Sequence, residues 1–164
     1  LGNADTVAML RTLAKSGDEE ILKYASCVLA NLSCLERNRA ADILGNAATV
    51  ATLRALAERG DGYTPINVSI VLANLSDLAS NRGVDVLGNT ATVATLSALA
   101  GSIDESVQRN AADALANLSD LERDRDLEIL GPPEIVASLS ALDTHPEVAT
   151  QRSATDTLRH PGSL

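Results

Sequence analysis

One phrase recurs in this chain at a fixed step of 43 residues. LGNADTVAML starts at Leu1, LGNAATVATL at Leu44, LGNTATVATL at Leu87 and LGPPEIVASL at Leu130. A second phrase keeps the same step: VLANLS from Val28, VLANLS from Val71 and ALANLS from Ala114. Two unrelated phrases that share one spacing fix a register for the whole chain. A period of this length marks stacked helical units, each too small to bury its apolar face alone and each burying it against its neighbour. Such a stack has one continuous core and a long surface along one side, which suits binding.

Composition narrows what that stack contains. The 164 residues are the size of one domain, and 45% of them are apolar. Phe and Trp are absent and Tyr occurs twice, so the core is expected to be built from Leu, Ile, Val and Ala. The net charge is −9 and the pI about 4.6. A nucleic-acid binder carries a basic footprint, and here the basic residues are outnumbered and scattered. No nucleic acid is expected as a partner; a basic or neutral protein surface is. There is no apolar run of about 18 residues, so no direct membrane insertion is expected, and no signal peptide is visible. Cys27 and Cys34 lie seven residues apart on one side of a helix, too far to bridge. Plain thiols of this kind point to an intracellular, cytoplasmic setting. The chain opens within a repeat, which suggests a segment of something longer.

Each unit reads as three helices, with the second unit as the example. A short helix is expected over about Arg37 to Leu44, ended by Gly45 in a left-handed conformation. Asn46 is the expected N-cap of a second helix, Ala47 to Glu58, with Val50, Leu53 and Leu56 along one side. After a turn at Gly60 to Gly62, the third and longest helix is expected from Pro65 to Leu78, capped by Thr64. The caps recur with the period at Asn3, Asn46 and Asn89, and Pro133 takes a first-turn position in the fourth unit. Ser16 with Glu19, and Ser102 with Glu105, have the spacing of capping boxes. The expected organisation is a single domain, 1–164, with a partial repeat 1–35 and repeats 36–78, 79–121 and 122–164.

A short helix, a Gly turn, a second helix and a long third helix ending in Leu-Ala-Asn-Leu-Ser resemble the armadillo repeat. NRAADILGNAATVATLRALAERGD, from Asn38, looks like the first and second helices of that repeat. The resemblance covers essentially the whole chain. It implies an all-α, right-handed α-solenoid of about four repeats and a non-catalytic protein-binding scaffold. HEAT repeats, two-helix units without this Asn, are the nearest rival. In the armadillo family the third helices line a concave groove, and the Asn near their ends bonds the backbone of an extended peptide. The matching residues are Asn31, Asn74 and Asn117, and an amide offers the donor and the acceptor a backbone needs.

Steps of three and four back along each third helix give the rest of that face. It reads Glu20, Tyr24, Cys27, Asn31 and Cys34 in the first unit. The second gives Tyr63, Asn67, Ile70, Asn74 and Asp77, and the third Ser106, Asn110, Asp113, Asn117 and Asp120. The fourth ends in Ser153, Asp156 and His160. The complementary stripe of the first unit, Ile21, Ala25, Val28, Leu29 and Leu32, is expected in the core. Both tyrosines fall on the binding face, where Tyr is favoured as a rigid amphipathic contact. The expected contact residues are Tyr24, Asn31, Tyr63, Asn67, Asn74, Asn110, Asp113 and Asn117. The family's nuclear-import adaptors place a Trp one turn before the Asn; this chain has Cys27, Ile70, Asp113 and Asp156 there. That departure argues against nuclear-localisation peptides and leaves room for a basic ligand of another kind.

Competing readings rest on the same residues. The repeated Asn could instead tie one repeat to the next by capping carbonyls at a helix end. The chain could be an accessory subunit or spacer of a larger assembly, in contact through its ends and convex side. An end without a polar cap exposes core, so self-association or further repeats are expected at the N-terminal end. No phosphate-cradling loop, metal-ligand cluster or nucleophile with a base is present in the sequence, so neither catalysis nor a cofactor is expected.

Overall fold

A computed structural model describes residues 2–59 and 62–125, with side chains to Ser119. The expectations for Pro132, Pro133, Ser153, Asp156, His160 and the whole fourth unit lie outside those residues. The described residues form six α-helices: α1 (Ala4–Leu13), α2 (Glu19–Ser33), α3 (Ala47–Arg59), α4 (Tyr63–Ser76), α5 (Thr90–Ala100) and α6 (Glu105–Arg125). Two 3-10 helices, Glu36–Arg39 and Ala79–Asn81, link the units. No strand occurs among the described residues. The architecture is the all-α solenoid that the period demands. Helices α2, α4 and α6 pack side by side as one layer, and α1, α3 and α5 succeed one another as a second.

The step of 43 reappears in the core. Leu29, Leu72 and Leu115 share one register and are fully buried. Leu53 and Leu96 share another and are likewise sealed, as are Leu44 and Leu87. Each contributes roughly 1.5–3 kcal/mol through burial. Val28 departs from its expected place in the core: it is 41% exposed, while its counterparts Val71 and Ala114 are at 0%. Those two lie between α4 or α6 and the third helix before it; no described helix covers the same side of α2.

Local chemistry explains the helix starts. Asn3, Asn46 and Asn89 cap α1, α3 and α5 as expected, each Oδ1 accepting the backbone N–H three residues on. Asn46 and Asn89 also turn their Nδ2 back to two carbonyls of the preceding turn. One side chain thus closes one segment and opens the next.

Several boundaries differ from the sequence reading. The cap of α2 is Asp18, not Ser16: Asp18 Oδ1 accepts from Glu20 N at 2.9 Å and Ile21 N at 3.3 Å. Asp104 does the same for α6. Ser16 and Ser102 stand two residues earlier and accept from Asp18 N and Asp104 N. A carboxylate outcompetes a hydroxyl because it also meets the positive end of the helix dipole. Helix α4 starts at Tyr63, with Gly62 at φ 50° before it, so Thr64 is a buried first-turn residue and Pro65 stands third. That place suits proline, since the first four N–H groups of a helix have no partner inside it.

The first helix of the unit is shorter than expected. Over 36–44 the chain forms a 3-10 helix and turns closed by Leu44 N to Asn38 O at 3.1 Å and Gly45 N to Ala40 O at 2.9 Å. Gly45 is not left-handed. It is required by crowding: a Cβ there would collide with the Arg39 carbonyl oxygen and Asn81 Oδ1.

Candidate functional site

The site is the face shared by α2, α4 and α6. Helical spacing brings the Asn series onto it, and the packing of the three helices decides what each Asn does. Asn74 Nδ2 donates to Ser33 Oγ on α2 at 2.9 Å, and Asn117 Nδ2 to Ser76 Oγ on α4 at 3.0 Å. A second row lies two turns earlier: Asn67 Nδ2 donates to Ser26 Oγ at 3.0 Å and Asn110 Nδ2 to Ser69 Oγ at 3.1 Å. Every rung joins residues 41 apart, one period less half a turn.

The serines fix the direction of these bonds. Ser26, Ser33, Ser69 and Ser76 are fully buried, and each hydroxyl donates to the carbonyl three residues before it at 2.7–2.8 Å. With its proton committed, each Oγ can only accept. The four amides are therefore oriented with Nδ2 on the serine. All four keep the Oδ1, and Asn67, Asn74 and Asn110 a second N–H, on side chains that are half-buried rather than sealed; Asn117 Nδ2 also reaches Asp77 Oδ1. Asn31 has no serine opposite; its Nδ2 reaches Cys27 Sγ at 3.7 Å on its own helix.

Carbonyl capping at the helix ends belongs to different residues. Asn38, 0% exposed, donates to Leu32 O at 2.8 Å. Asn81, 1% exposed, donates to Leu75 O at 3.0 Å and across the repeat boundary to Arg39 O at 2.9 Å. Arg39 and Arg82 add Nε bonds to Ser33 O and Ser76 O. A guanidinium at a helix C-terminus also meets the negative end of the dipole. The sequence reading missed these residues and the four serines, although Asn38 and Asn81, Ser26 and Ser69, and Ser33 and Ser76 all keep the step of 43. Their signal was the period itself.

The other expected contact residues are distributed unevenly. Tyr24 and Tyr63 are exposed, on neighbouring helices, and Lys23 Nζ stands 5.7 Å from the Tyr24 ring centre and 5.4 Å from that of Tyr63. This end of the face is aromatic with a cation between the rings. Glu20, Cys27, Cys34 and Ser106 are exposed, and Ile70 and Asp113 half-buried. Asp77 is paired with Arg39 at 2.8 Å and receives Asn117 Nδ2 at 3.4 Å. The side chain of Asp120 lies outside the described residues. No cluster of His, Cys, Asp and Glu suited to a metal occurs among the described residues. None of the described helices is long and apolar enough to cross a membrane.

Stacked units with a polar ladder along the third helices define an α-solenoid of helical repeats. Residues 80–120 match the family model of the Armadillo/beta-catenin-like repeat, and the chain is a solenoid of armadillo-type repeats. It is similar to a designed armadillo repeat protein solved in complex with the peptide (KR)4. That likeness has a TM-score of 0.73 at 18% identity and covers 94% of this chain and 64% of the other. A second designed armadillo repeat protein gives a TM-score of 0.72 at 20% identity, covering 96% of this chain and 68% of that one. An engineered protein gives 0.72 at 21%, covering 93% and 62%. The chain thus spans 62–68% of the length of these structures. No curated protein matches it in sequence.

Proposed function

We propose that this chain is a non-catalytic scaffold that binds an extended segment of another protein along α2, α4 and α6. One observation carries the reading. Each of Asn67, Asn74 and Asn110 spends one N–H on a serine of the neighbouring helix and keeps one donor and one acceptor, while Asn117, which also reaches Asp77 at 3.4 Å, keeps its acceptor. An extended backbone offers a carbonyl and an N–H at every residue, which is what these amides can take. Helices packed about 8–10 Å apart place successive rungs roughly three residues apart along a ligand that rises about 3.3 Å per residue. The rungs that hold repeats together and the rungs that hold a ligand are then the same side chains.

The side chains around the rungs favour a basic ligand. Asp113 lies one turn before Asn117, and Asp77 borders the same rung. Lys23 between the two tyrosines makes the α2 end less suited to lysine and arginine. Basic side chains therefore belong at the α4–α6 end, with apolar or aromatic ones against Tyr24 and Tyr63. The designed armadillo protein solved with (KR)4 supports a basic peptide as the first probe.

The test is titration of fluorescent (KR)4 and of a Gly-Ser peptide of equal length into the wild type and the Asn74→Ala/Asn117→Ala double variant. The wild type is expected to prefer (KR)4, and the double variant to bind it at least about tenfold more weakly, the loss of one to two hydrogen bonds. Equal affinity for both peptides removes the basic preference. Unchanged binding in a folded double variant removes the groove.

A further inference from the structure

The rungs repeat, and repetition leaves a question of register. A ladder of like amides grips an extended backbone equally well when the ligand is shifted by a whole unit. Something that does not repeat has to mark one place along it. Lys23 is such a mark. Tyr24 and Tyr63, the only Phe, Trp or Tyr residues of the chain, both flank it, so this arrangement occurs once.

Lys23 faces the gap between two described helices. Ser26, three residues on, receives Asn67 of α4, so this side of α2 is the α4 side. Tyr63, at the start of α4, meets Lys23 Nζ from across that gap, with its ring centre 5.4 Å away. The flank of α2 that bears Val28 is a different one, about 140° around the helix. Ring faces attract a cation without cancelling its charge. No N–H of the ammonium meets an acceptor among the described residues, and Lys23 makes no ion pair there, although Glu19 and Glu20 precede it by one turn. The side chain is half-buried and both tyrosines are exposed. The ammonium is therefore held in place, carries its full charge and stays within reach of a ligand.

We propose that Lys23 pairs with an Asp or Glu side chain of the bound segment and so fixes the register of the ligand on the ladder. The pairing presupposes the ligand groove along α2, α4 and α6. Because the rings hold the ammonium, little side-chain freedom is lost when a carboxylate docks. The nearest rung is Asn67, which grips the ligand backbone beside Lys23. Asp77 and Asp113 belong to the α4–α6 end, one helix step of about 8–10 Å further on. The matching segment therefore carries its acid roughly three residues from its first base.

Fluorescence titration of four peptides tests the pairing: EEGSKRKR, its reverse RKRKSGEE, and the same two with Gln in place of Glu. All are amidated, so that glutamate supplies the only carboxylates. In the direction that binds more tightly, the wild type is expected to favour the Glu peptide over its Gln counterpart by about fivefold. The ratio is expected to fall to about one in Lys23→Gln, to invert in Lys23→Glu and to survive in Lys23→Arg, with circular dichroism showing each variant folded. A ratio near one in the wild type overturns the proposal, as does an unchanged ratio in folded Lys23→Gln. If binding still weakens in the Asn74→Ala/Asn117→Ala variant, that failure leaves the groove standing. A wild type that binds none of the four peptides overturns the groove and the pairing together.

Discussion

Two series of asparagines run through this molecule at the same step, and they live in opposite surroundings. Asn38 and Asn81 are sealed, and their amides end α2 and α4 by taking carbonyls that have no partner in the helix. Asn74 and Asn117 are half-buried and donate to buried serines of the next helix. The first series holds a turn; the second holds two units in register and still faces outward. Recurrence alone does not separate them, because both recur equally well. The partner of the amide does: a carbonyl inside the fold, or a hydroxyl at its edge.

The largest effect is expected at the sealed series. Asn81→Ala leaves the Leu75 and Arg39 carbonyls without their donor in a buried site, at a cost of about 2–5 kcal/mol. Urea unfolding followed by circular dichroism measures it, and a loss below about 1 kcal/mol would erase the distinction between the two series. Gly45→Ala comes next. Its added methyl meets the Arg39 carbonyl and Asn81, neither of which can move freely, and the expected loss is about 1–3 kcal/mol. The same denaturation curve shows whether the turn can yield. The smallest effect separates two members of the outward series. Asn74→Ala forfeits one cross-helix bond, about 1 kcal/mol, whereas Asn31→Ala forfeits only the long contact with Cys27 and is expected to stay near zero. Equal losses at both sites would mean that the serine rungs add no stability.

Much of this fold was legible in the sequence, because local signals and the period agreed. The caps Asn3, Asn46 and Asn89 and the core register of Leu29, Leu72 and Leu115 could be placed from spacing alone. The failures share a cause. Ser16 looked like a cap because a capping box is a local pattern, but Asp18, two residues later, offers a stronger acceptor. Gly45 looked like a helix terminator because glycine usually signals backbone freedom. Here it marks the place where another segment, brought in from 36 residues further on, presses against the chain. Val28 was assigned to the core by a helical wheel, which cannot know whether a neighbour exists to cover it. The candidate face was legible as a stripe of residues. Its division into rungs needed the serine partners, which come from the adjacent unit and leave no local trace.

The rungs impose a rule on how such a chain can change length. Each ties a residue to another 41 positions away, and four of them hold the same offset. A single residue inserted or deleted within α4 between Asn67 and Asn74 turns one of them by about 100° around the helix relative to the other, and the two rungs can no longer both be kept. Removal or duplication of a whole 43-residue step changes no offset at all. The molecule is therefore tolerant of large edits and intolerant of small ones, and a gene encoding it can grow or shrink by copying units far more safely than by drifting in length.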